Sequence, residues 1–121
     1  MEKILIIGCR KIMDEICFAC NRCFTAFNQN QGEFVRYTEH EAEVIGLTAC
    51  TDCPGKTLVP RLALLWNSPL GEEPTKIHLA PCVVKCPHGH SIAEEVKSRC
   101  GIEIIEGTHP YQHLGTIFGR P

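Results

Sequence analysis

The chain has 121 residues, 12 basic against 14 acidic side chains, 44% hydrophobic residues and nine cysteines. That length is one domain on the usual scale of roughly 100–200 residues, and it supports a core that needs no disulfide staples. The formal net charge of −2 gives no electrostatic case for nucleic acid, and the dispersed 21% of charged residues argue against disordered tails.

The opening run Ile4 to Ile7 is apolar and rich in isoleucine, the pattern of a strand buried on both faces. It is shorter than the ~7–15 apolar residues of a signal peptide, and no stretch reaches the ~20 of a membrane span. A soluble, cytoplasmic protein without membrane contact is therefore expected. Cys17 to Phe27 follows as a helix, with Cys17, Cys20, Phe24 and Phe27 on one arc. Gln29 to Glu41 reads as a polar connection. A second strand is expected over Glu43 to Thr48. A second helix spans Thr57 to Trp66, with Pro60 near its start, where a first turn tolerates it.

Asn67 to Thr75 is another polar connection, leading to a strand over Lys76 to Ala80. A third helix spans Ser91 to Cys100, with Ser91 as N-cap, Glu94 three residues on, and Gly101 as the stop. The last strand is Ile102 to Ile105, and Pro110 to Pro121 forms an irregular tail. This alternation predicts a single α/β domain over residues 1–121. The expected architecture is a small three-layer sandwich with a four-stranded parallel sheet in flavodoxin-like or Rossmann-like order.

The positions of the cysteines say more than their number. An odd count fits poorly with a closed disulfide framework, and in a reducing compartment clustered cysteines mean metal or catalysis. Cys9 follows the first strand, Cys50 and Cys53 the second, Cys82 and Cys86 the third, and His109 the fourth. In a parallel sheet these positions share the carboxyl edge, where α/β proteins bind ligands. Cys17, Cys20 and Cys23 are spaced by three, so neighbouring thiols on a helix can share an ion. That spacing matches the first three ligands of a bacterial ferredoxin run, but residue 27 is Phe27. The ending of that run, Cys-x-x-x-Cys-Pro, stands instead at Cys82 to Pro87.

Cys23 can also simply pack beside Phe24 and Phe27, and Cys100 reads as a small core residue. Cys50 and Cys53 precede a helix, whose positive end favours thiolates. His88 beside Cys86 is a ligand candidate, and mixed thiolate and imidazole suit zinc. His90 stands between ligand and surface roles. His78, inside a strand, is expected to be a hydrogen-bonded core histidine.

Taken together, Cys23-Phe24, Ala26-Phe27, Gly32 to Phe34, Arg36-Tyr37, Val44-Ile45-Gly46 and Cys50 to Lys56 form a recognisable set. Ile77-His78-Leu79, Cys82, Cys86-Pro87-His88 and Gly107-Thr108-His109 complete it. The chain resembles the CGGC-domain family, named for a central Cys-Gly-Gly-Cys and described as metal-binding. Here Thr51 and Asp52 replace the two glycines. That replacement implies a loop needing neither positive φ nor a bare backbone.

The leading expectation is a metal-binding protein drawing on Cys9, Cys17, Cys20, Cys50, Cys53, Cys82, Cys86 and His88, with Cys23 and His109 behind them. Zinc explains the mixture of Cys and His, and an iron–sulfur cluster explains the surplus of thiols over four ligands. The alternative is a thiol–disulfide redox enzyme, with Cys50 attacking, Cys53 resolving and His109 as base, acting on a redox or protein partner. A plain binding module remains if neither chemistry is found.

Overall fold

The computed structural model describes residues 1–12, 22–51 and 57–108. Four strands form one sheet: β1 (Glu2–Gly8), β2 (Ala42–Ala49), β3 (Lys76–Leu79) and β4 (Glu103–Glu106). All pairings are parallel, and the order β2-β1-β3-β4 selects the flavodoxin-like alternative. The helices are α1 (Arg10–Ile12), α2 (Arg22–Asn28), α3 (Leu58–Trp66), α4 (Pro81–Val84) and α5 (Gly89–Cys100).

β1 lies in the middle of the sheet, which is why its apolar run does not alternate. Ile4 and Ile6 point to one face, where they meet Ala26 of α2, Phe34 and Tyr37. Leu5 and Ile7 point to the other, against Leu58 and Leu62 of α3 and Ile92 and Val96 of α5. These two cores make the three layers. Between Ile4 and Leu5 the register against β2 shifts, so Val44 and Gly46 face consecutive β1 residues and Ile45 is the extra one. Such a bulge bends an edge strand.

Three boundaries differ from expectation. The stretch read as a polar connection contains a 3₁₀ helix, Gly32–Tyr37, that buries Phe34 and Tyr37. Two aromatics three apart share one face of a helix with three residues per turn. The helix expected from Ser91 starts at Gly89, with His88 as N-cap and no side-chain capping bond. Gly89 makes that start feasible: a Cβ there would lie 2.1 Å from the Val83 carbonyl oxygen. The short helix α4, with Pro81 in its first turn, was not foreseen.

Other ends stand as expected. α3 begins one residue after Thr57, and Gly101 closes α5 at φ 70°, donating to Lys97. The expected helix over Cys17 to Phe27 is represented by α2; Cys17 and Cys20 lie outside the described residues, as does the tail from Pro110. Among the described residues no helix is long and apolar enough to cross a membrane.

Candidate functional site

The strand order places the topological switch point between β1 and β3, whose helices leave on opposite faces of the sheet. Cys9 follows β1 directly and Cys50 follows β2 directly; Cys82 stands in the first turn of α4, just after β3. Backbone bonds extend the sheet into this region, from Cys50 N–H to the Gly8 carbonyl at 2.9 Å and from Ala80 N–H to the Ile7 carbonyl at 2.9 Å. The Cys9 N–H donates to the Cys82 sulfur at 3.1 Å.

Cys9 and Cys50 are buried in the core on the α3 and α5 face, and Cys82 packs against both cores. Three thiols distant in sequence therefore meet the same carboxyl edge. Cys86, half-buried, accepts from the His88 N–H at 3.4 Å, and His88 is itself exposed. His90 is exposed. Cys100 packs at the end of α5 and burial raises its thiol pKa, in keeping with a structural role.

Cys23 lies on the opposite face of the sheet, with Phe27 in the α2-side core. Its sulfur is 3.3 Å from the hydroxyl of fully buried Thr108, just beyond β4. It thus reaches the carboxyl edge from the other side.

The loop after Cys50 corrects one expectation. Thr51 has φ 69°, so the backbone does require the left-handed region at the first of the two positions where glycine was replaced. A β-branched residue is a genuine outlier there. The Thr57 hydroxyl donates to the Thr51 hydroxyl at 3.0 Å and helps fix this conformation. Asp52, Cys53 and Lys56 lie outside the described residues.

His78 is a core histidine, as expected, but its partners were not legible. Its Nδ1 is 2.8 Å from the Gly107 carbonyl oxygen, which can only accept, so Nδ1 carries the proton. Nε2 then accepts from the Tyr37 hydroxyl at 2.7 Å. Phe34 covers the ring at a centroid distance of 4.6 Å. Burial lowers the His78 pKa and raises that of Tyr37 to about 12, so both groups are held neutral. The bonds tie the 3₁₀ helix and β3 to Gly107 and Thr108, the residues that lead to His109. The Glu33 N–H adds a bond to the Thr108 carbonyl at 2.9 Å. Tyr37 and Thr108 belong to the residues that carry the family resemblance, but their positioning role was not legible; the three-residue spacing of Phe34 and Tyr37 was the one local signal.

Among the described residues no three His, Cys, Asp or Glu side chains stand together as a ready metal cage. Cys17, Cys20, Cys53 and His109, the other members of the expected ligand pool, lie outside those residues. The donor chemistry that does gather at the edge is thiol, which suits zinc and iron–sulfur clusters.

The CGGC domain matches residues 3–109, from the first strand to the loop after the fourth. The chain belongs to the CGGC domain family. This CGGC domain is 32% identical over 123 residues to the uncharacterized protein MJ0582 of Methanocaldococcus jannaschii. The alignment covers 95% of this chain and 92% of that protein. No solved structure matches it. Membership of the CGGC family is consistent with a metal-binding role.

Proposed function

We propose that this CGGC domain binds a metal through thiolates at the carboxyl edge of its sheet. The observation that carries this reading is the placement of Cys9, Cys50 and Cys82 just after three neighbouring parallel strands, on one carboxyl edge, with the Cys9 N–H on the Cys82 sulfur. Cys86, Cys17, Cys20, Cys53, His88 and His109 are the further donors, and Cys23 reaches the same edge from the other face. Zinc is the preferred ion, because it accepts four thiolate and imidazole ligands; an iron–sulfur cluster is the alternative, because the thiols outnumber four. A bound metal would neutralise the gathered thiolates and link loops from separate strands. His78 and Tyr37 would hold the Gly107 to His109 segment in place without touching the ion.

A redox reading, with Cys50 and Cys53 exchanging with a disulfide substrate, draws on the same edge. The burial of Cys50, only 4% exposed, weighs against it as an attacking thiol.

Anaerobic purification with elemental analysis and a visible spectrum tests the proposal. Colourless protein with stoichiometric zinc is the expected result. Brown protein with iron and acid-labile sulfide would replace zinc by a cluster. Folded, metal-free protein whose reductase activity is lost in Cys50→Ser would replace metal binding by redox chemistry.

A further inference from the structure

The β2 edge of the sheet carries a concave feature that the cysteines do not explain. An open groove of about 570 Å³ runs between the carboxyl end of β2 and α3, a volume typical of small-molecule sites. One wall is apolar and includes Leu64 and Leu65, which are 74% and 56% exposed. The lining also holds Arg10, the hydroxyl residues Thr48 and Thr51, and Arg61, one helical turn from Leu64 and Leu65 on α3.

The charge of the groove runs against that of the chain. Its described lining holds Arg61, an exposed guanidinium on α3, in a protein of net charge −2. Arg61 has no acidic partner among the described residues. The Thr51 hydroxyl accepts from Thr57, and its own proton has no protein acceptor among the described residues. Thr51 also holds its side chain at this wall at a conformational cost, with φ 69° on a β-branched residue. Strain of this kind concentrates at ligand sites.

We propose that the groove binds a small amphiphilic oxyanion, a carboxylate or phosphate on an apolar tail, with Arg61 and Thr51 on the oxyanion and Leu64 and Leu65 on the tail. A guanidinium presents paired donors matched to carboxylate or phosphate oxygens, and an apolar tail buries leucine surface otherwise left in water. Thr51 follows Cys50, so the ligand lies beside the cysteine edge. The site needs no metal and stands independently of the metal-binding proposal.

The test is titration of the full chain with octyl phosphate (below its micelle concentration), octanol and inorganic phosphate, followed by backbone amide shifts and calorimetry. Octyl phosphate is expected to shift the amides of Thr48, Ala49, Leu62 and Leu65. It should bind at least about tenfold more tightly than octanol or inorganic phosphate. Arg61→Gln, at an exposed position of α3, should weaken octyl phosphate about tenfold and leave octanol unchanged. Leu65→Asn should weaken octyl phosphate but not inorganic phosphate. No binding, shifts confined to other surfaces, octyl phosphate affinity no greater than that for octanol or for inorganic phosphate, or unchanged octyl phosphate affinity in folded Arg61→Gln would each overturn the proposal.

Discussion

Thr51 holds a β-branched side chain in the left-handed region, a conformation that costs L-residues roughly 1–2 kcal/mol. Asparagine tolerates that region and still offers an oxygen to Thr57. Thr51→Asn should therefore raise the unfolding free energy by up to about 1 kcal/mol. Thr51→Val keeps the strain, loses the hydroxyl bond and should lower it by about 1 kcal/mol. Urea unfolding of both variants checks the order, and a Val variant as stable as Asn would contradict it.

At the same scale, the buried His78–Tyr37 pair sets a window of stability. The folded pKa of His78 lies below its ordinary 6.5, so the unfolded chain takes the proton first and stability falls as pH drops below that value. The folded pKa of Tyr37 is raised from 10 to about 12, so stability from this group is complete below 10 and is lost as pH rises toward 12. Between these limits the pair contributes a plateau. His78→Phe should remove the acid limb contributed by His78 and cost about 3 kcal/mol, by stranding the Tyr37 hydroxyl and the Gly107 carbonyl. Unfolding midpoints across pH read both effects.

At the scale of elements, the contact between α4 and α5 is the tightest constraint near the site. A Cβ at Gly89 would stand 2.1 Å from backbone oxygen that no rotamer change can move. Gly89→Ala should cost about 2 kcal/mol and lower the thermal midpoint, because the two helices must separate. An unchanged midpoint would show that the junction yields freely. The strands were legible because their apolar runs are short and bounded, and Gly101 marked the end of α5 through its left-handed geometry. The 3₁₀ helix was hidden because only Phe34 and Tyr37 carry its buried face. The start of α5 was misplaced because Ser91 and Glu94 imitate a capping box, whereas the real start depends on Gly89 passing close to a residue six positions earlier.

At the scale of the molecule, the site was legible as an edge but not as a set of contacts. A parallel sheet brings the ends of all its strands together, so the residues following β1, β2 and β3 had to converge on Cys9, Cys50 and Cys82. Which helix covers which face is settled by packing, and this placed Cys23 against Thr108 on the far side of the sheet from Cys9 and Cys50. The same packing set the His88 backbone N–H on the Cys86 sulfur. Metal content of two variants tests the central claim most directly. Cys82→Ser, altered at the switch point, should lose bound zinc after anaerobic purification, while Cys100→Ser, altered in the packing of α5, should keep it. Full zinc content in Cys82→Ser, or no metal in the wild-type protein, would contradict a thiolate metal site at this edge.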